Sequence, residues 1–85
     1  MALGYTAKAL KELEALPKNY AARVAAAARA LETNPHPPGS LKLQGVRLDG
    51  DAVYRERVGV YRILYVVRAG GVIVVGVLHR REAYR

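Results

Sequence analysis

Hydrophobic positions along the chain change period near its middle. From Thr6 to Leu31 they recur at steps of three and four: Leu10, Leu13 and Leu16 in "AKALKELEAL", then Tyr20, Val24, Ala27, Ala28 and Leu31. Side chains at those spacings share one face of an α-helix, so this half predicts two amphipathic helices. Thr6 is placed to cap the first, Pro17 stops it, and the short "LPKN" link makes the pair a helical hairpin. "NPHPPGS", Asn34 to Ser40, excludes further helix, because each proline fixes φ and removes a backbone donor.

Beyond Ser40 the pattern turns to β. "LKLQGVRL", Leu41 to Leu48, is a strand or an irregular lead-in, and "DGD" marks a turn. Ala52 to Val58, Val60 to Arg68 and Val72 to Leu78 read as three strands reversed at Gly59 and at "AGG", which makes consecutive antiparallel hairpins the economical topology. The gapless apolar run "VIVVGVL" suits a central strand, and the β-compatible "LGYT" near the start is expected to pair beside it. The predicted fold is α+β, one domain over residues 1–85, with two N-terminal helices packed on one face of a small, mainly antiparallel sheet.

The central hairpin, "VYRERVGVYRILYVV", sets Arg55, Arg57 and Arg62 among valines and tyrosines. A two-residue turn at Gly59 places either Arg55 or Arg57 opposite Arg62, and under both registers the period-two pleat puts all three on one face. The other face, with Tyr54, Val58, Tyr61, Ile63, Tyr65, Val67 and a single Glu56, is the better core and is expected to meet Leu10, Leu13, Val24 and Leu31. The arginine face is then expected to stay free of helices and to be concave through sheet twist. Three like charges side by side destabilise a sheet, so a polyanionic ligand, matched by the planar guanidinium fork, explains them better than stability does.

Composition points the same way. Fourteen Lys and Arg against seven Asp and Glu give +7 at pH 7, a charge that attracts phosphate backbones. Absence of cysteine excludes disulfides, thiolate metal sites and a cysteine nucleophile. Neither a signal peptide nor an apolar run near the ~20 residues of a membrane span is recognised, so the expectation is a soluble, cytoplasmic protein with no membrane partner. The sequence holds no P-loop, no HExxH and no paired-carboxylate spacing, hence no metal or cofactor is expected. Past the last strand, "LHRREAYR" adds His79, Arg80, Arg81, Tyr84 and Arg85 to the cations, and Arg47 and Arg68 extend the candidate RNA contacts along the sheet. His79 is a possible proton carrier near neutral pH, and Tyr84 a possible base-stacking or proton-moving group.

Four stretches taken together, "TAKALKELEALP", "LQG", "YRERVGVYRILY" and "HRREAY", resemble the RelE/ParE superfamily of toxins from toxin–antitoxin modules. In the RelE branch the resemblance implies a ribosome-dependent endoribonuclease that cuts messenger RNA in the A site without metal and is held in check by a RelB-like antitoxin. The family's basic strand residues match Arg55 and Arg57, its hairpin arginine Arg62, its late arginine Arg80 or Arg81, and its C-terminal tyrosine Tyr84. By that analogy the RNA's 2′-hydroxyl attacks the adjacent phosphate while the arginines stabilise the transition state, leaving a cyclic phosphate and a 5′-hydroxyl. Arginine, whose guanidinium stays protonated at neutral pH, is a poor proton carrier, which leaves Tyr84 first and His79 second for that task. Two other readings compete: a ParE-like gyrase inhibitor of the same fold, and a non-catalytic RNA- or ribosome-binding module.

Overall fold

The computed structural model describes residues 2–83. The elements are β1 (Ala2–Tyr5), α1 (Ala7–Glu14), α2 (Lys18–Ala30), β2 (Leu41–Leu48), β3 (Asp51–Val58), β4 (Tyr61–Arg68), β5 (Gly71–His79) and a short α3 (Arg80–Ala83). One sheet of five strands forms in the order β1-β5-β4-β3-β2. Its hairpins are antiparallel, and β1 joins as the predicted extra strand, parallel to β5, with Ala2 opposite Gly71 and Tyr5 opposite Val74.

Local chemistry sets the boundaries. Thr6 Oγ1 accepts from the Ala9 N–H at 3.1 Å and so caps α1. Pro17 separates the helices and begins α2, its carbonyl accepting from Ala21 at 2.8 Å. Leu48 pairs with Asp51 across Asp49 and Gly50, whose φ values of 51° and 85° are both positive, as a type I′ hairpin turn requires. Gly45, at φ 70°, lies where the register of β2 against β3 slips, so the lead-in is a strand broken by an irregularity between Lys42 and Arg47.

The core lies between the helices and one sheet face. Val24 and Ala28 of α2, Leu31 at its C-terminal cap and Ala9 of α1 pack on Ile63, Tyr65, Val72, Val74 and Val77. Each fully buried Val, Leu or Ile there contributes about 1.5–3 kcal/mol. Leu10, expected in this interface, is 44% exposed instead, and Ala9 takes the central position with Leu13 and Leu16 beside it. The rotation has a polar cause. Strand β1 ends opposite Val74, which leaves the next stretch of β5 as an open edge, and Glu12 Oε1 accepts from the Val77 N–H there at 3.0 Å. Glu12 facing the sheet puts Leu10, two residues away on the helix, on the far side.

Strand β5 carries one residue more than its partner. Leu64 pairs with Gly76 and Tyr65 with Val74, so Val75 is a bulge. Parity flips across it, which lets Val72 and Val74 below the bulge and Val77 above it all join the helix-side core. Among the described residues, no helix is long and apolar enough to cross a membrane.

Candidate nucleic-acid interface

The β3–β4 hairpin positions the arginines. Val58 pairs with Tyr61 across Gly59-Val60, so Arg57 lies opposite Arg62 and Arg55 opposite Leu64. This is the second of the two registers open to the sequence, and it puts Arg55, Arg57 and Arg62 together on the face turned away from α1 and α2.

That face is less open than expected. Arg57 is exposed and Arg55 half-buried, but Arg62 is only 4% exposed, and Val53 and Val66 on the same side are buried outside the helix-side core. Register slips in β2 and β5 interrupt the regular ladder on both sides of this hairpin. Arg62 turns back on its own hairpin: Nη1 donates to the carbonyls of Gly59 and Tyr61, both at 2.9 Å. Those charge-assisted bonds fix the guanidinium and offset its repulsion from Arg57 across the strand.

The turn is also held from the helix side. Gly59 has φ 58°, and a Cβ at that position would lie 3.3 Å from the Tyr20 ring and 3.4 Å from the Arg23 guanidinium. Tyr20 meets Tyr61 edge to face at 5.0 Å, and Arg23 sits 5.1 Å from the Tyr20 ring centre. Arg23 is therefore a further cation at this end of the hairpin that the sequence reading left out. Its position at the first turns of α2 gave no sign that α2 packs beneath Gly59.

Beside Arg55 and Arg57 lies a depression of ≈ 410 Å³, closed by Glu56, Pro38 and Gly39. It exists because β2 begins at Leu41, opposite Arg55, and leaves the end of β3 without a partner on that edge. The proline-rich loop runs alongside instead and is well anchored. Tyr65 donates its hydroxyl to the Pro35 carbonyl at 2.7 Å, the Asn34 side chain accepts from the His36 N–H at 3.1 Å, and the His36 ring packs on Tyr54 at 4.8 Å. Tyr54 in turn stacks on Tyr65 at 5.7 Å. Burial raises the Tyr65 phenol pKa above its ordinary value against the lowering effect of its bond with Ser40. Burial likewise raises the Glu56 carboxyl, more than the Arg57 backbone hydrogen bond and the Arg55 charge lower it. Glu56 and the Pro38–Gly39 loop were not among the candidate site residues, although a lone acid in "RER" was the visible signal.

The remaining candidates divide by location. Arg80 starts α3 at the same end as the turn, its N–H donating to the Val60 carbonyl at 2.7 Å, and Arg81 follows it, exposed. His79 pairs with Tyr61, and their rings meet at 5.6 Å, so it lies on the helix side of the sheet and not with the three arginines. Its Nδ1 accepts from the Arg81 N–H at 3.2 Å and caps α3. The bulge at Val75 is what assigns His79 to that face. Arg47 and Arg68 sit at the other end of the sheet. Arg47 Nη1 donates to the Gly50 carbonyl at 3.0 Å, and Arg68 pairs with Asp51 at 2.7 Å and Asp49 at 3.8 Å. Tyr84 and Arg85 lie outside the described residues. Among the described residues no three His, Cys, Asp or Glu side chains converge as a metal site.

Two helices on one face of a five-stranded, mostly antiparallel open sheet, with an arginine-bearing hairpin at its centre, define a RelE-like fold. An archaeal RelE–RelB complex from Pyrococcus horikoshii OT3 matches with a TM-score of 0.74 and 28% identity over 92% of each chain. The toxin–antitoxin complex RelBE2 from Mycobacterium tuberculosis matches at 0.74 and 27%, covering 93% of this chain and 96% of that one. The RelB–RelE antitoxin–toxin complex from Methanococcus jannaschii matches at 0.70 and 25%, covering 95% and 94%. No curated protein matches the sequence significantly. The family described as ParE toxin of type II toxin-antitoxin system, parDE, matches residues 3–84, and the chain belongs to that family within the RelE/ParE superfamily.

Proposed function

We propose that this toxin is a ribosome-dependent endoribonuclease, acting in the cytoplasm on messenger RNA in the ribosomal A site and inhibited by a RelB-like antitoxin. The observation that carries this reading is the grouping of Arg55, Arg57 and Arg62 on one face at one end of the hairpin, two of them lining a depression and the third fixed behind them by backbone carbonyls. Such an array suits a phosphate that gains charge during reaction. Arg55 and Arg57 take the non-bridging oxygens, and Arg62 adds positive potential in a site partly withdrawn from water, where charge acts more strongly. Arg80 and Arg81 extend the basic surface past the turn toward the RNA backbone and ribosomal RNA. The RNA supplies its own nucleophile, the 2′-hydroxyl, so the protein's contribution is placement and charge.

A second reading has its own support, because the matching family carries the name ParE. Under it the same fold inhibits gyrase through a protein surface. Translation in vitro with purified protein and a mapped messenger RNA separates the two, run beside a gyrase supercoiling assay. In-frame cuts that require ribosomes are the expected result. Intact message with blocked supercoiling favours the gyrase inhibitor, and intact message with the protein still bound to ribosomes reduces the function to binding alone.

A further inference from the structure

We propose that Glu56 is the proton acceptor of the cleavage step, taking the 2′-hydroxyl proton of a ribose seated in the depression between Arg55, Arg57 and the Pro38–Gly39 loop. This rests on the ribonuclease reading above and gives Glu56 the proton-acceptor role first expected of Tyr84, which lies outside the described residues.

Position comes first. Among the described residues, Glu56 contributes the carboxylate that lines this depression, directly between the two arginines in sequence. On a fully paired strand its side chain would point to the opposite face and be separated from theirs by the sheet. Here β2 stops opposite Arg55, so the edge of β3 is open, and residues of both faces border one space. A ribose phosphate straddling that edge presents its phosphate to the arginines and its 2′-hydroxyl to the carboxylate. The loop wall is formed by Pro38 and by Gly39, which has no side chain and open space where one would stand, so the wall is shaped without blocking entry.

The chemistry fits the same residue. Guanidinium groups stay protonated at pH 7 and cannot accept the proton. His79 is on the helix side with Nδ1 engaged at the start of α3. Among the described residues, the charged and titratable groups that face Glu56 are Arg55 and Arg57 on its own strand and Tyr65 on β4, whose phenol feels the Glu56 charge; the loop contributes Pro38 and Gly39, which are neutral. Burial outweighs the arginines and raises the carboxyl above its ordinary value, which makes the carboxylate a stronger base. In the reaction the O2′–H bond breaks, its proton passes to Glu56, and O2′ bonds to phosphorus. The P–O5′ bond then breaks, and the 5′-oxygen takes a proton from water. The products are a 2′,3′-cyclic phosphate and a 5′-hydroxyl, and Glu56 returns its proton to solvent.

The test is single-turnover cleavage of ribosome-bound messenger RNA by the wild type and Glu56→Gln across an acid-to-neutral pH range, with ribosome binding measured alongside. Wild-type cleavage is expected to fall on the acid side, and Glu56→Gln to lose about 100-fold or more at neutral pH and to lack that acid limb while still binding ribosomes. A Gln variant that cleaves at the wild-type rate with the same pH profile overturns the role of Glu56 alone. A wild type that does not cleave overturns the ribonuclease reading and this step with it. Folding is checked by thermal melts. A carboxyl whose folded pKa is raised stabilises the protein in its protonated form and loses that contribution as pH rises through the folded pKa. Glu56→Gln is therefore expected to melt no lower than wild type at pH 7, and a clear drop there contradicts the burial invoked here.

Discussion

The two ends of the β3–β4 hairpin carry the same residue type in different settings. At the far end from the turn, Arg68 meets Asp51 and Asp49, and Arg47 folds onto the Gly50 carbonyl. At the turn end, Arg62 is held by neutral carbonyls, Arg57 stands exposed beside it, and Arg55 borders a depression. At the first end two carboxylates meet the Arg68 guanidinium. At the second, backbone carbonyls fix the Arg62 guanidinium in place. The difference teaches that arginine count is a poor guide to a phosphate site, and that the surroundings of each guanidinium distinguish one end from the other.

Three substitutions break or sharpen this contrast. Arg62→Ala has the largest expected effect: single-turnover cleavage falls about 10²- to 10³-fold, as for loss of a fixed donor at a charge-developing centre. It also leaves the Gly59 and Tyr61 carbonyls without their donor, so chemical denaturation should show a loss of about 1–3 kcal/mol. Unchanged cleavage in that variant removes the special status of the turn end. Tyr65→Phe comes next. It frees the Pro35 carbonyl and loosens the loop that walls the depression, at a cost of about 1 kcal/mol and a smaller loss of cleavage. Because burial raises the Tyr65 phenol, its contribution is full below the unfolded tyrosine pKa and is lost as pH rises through the folded one. Alkaline destabilisation of the wild type should accordingly be steeper than that of Tyr65→Phe. Arg68→Ala should do least: a surface pair of this kind is worth roughly 0–1 kcal/mol, and cleavage should stay within about twofold of wild type. A loss comparable to that of Arg62→Ala shows that both ends of the hairpin bind RNA.

Much of the fold was legible in the chain. The change of period placed both helices and all the hairpin strands, Thr6 and Pro17 marked helix ends, and "LGYT" was found as the added strand. The exceptions share a cause. Leu10 was assigned to the core by periodicity alone, and a hydrogen bond from Val77 to Glu12 across the sheet edge rotated the helix away from that choice. His79 was grouped with the arginines by proximity in sequence, and a one-residue bulge 4 residues earlier moved it to the other face. The site was half legible: the parity of Arg55, Arg57 and Arg62 followed from the two-residue turn, whereas the burial of Arg62 did not.

What the sequence determined by itself is therefore the local and periodic part: the elements, the hairpin turns, the excess of positive charge and the shared face of three arginines. These follow from backbone geometry that repeats every two or 3.6 residues and needs no distant partner. Tertiary structure decided which arginine meets carboxylates and which is buried against its own turn, where β2 stops, and that the edge it leaves open joins Glu56 to Arg55, Arg57 and the proline loop in one depression. Those outcomes depend on register, bulges and loop anchoring between segments far apart in the chain, and no pattern confined to one segment encodes them.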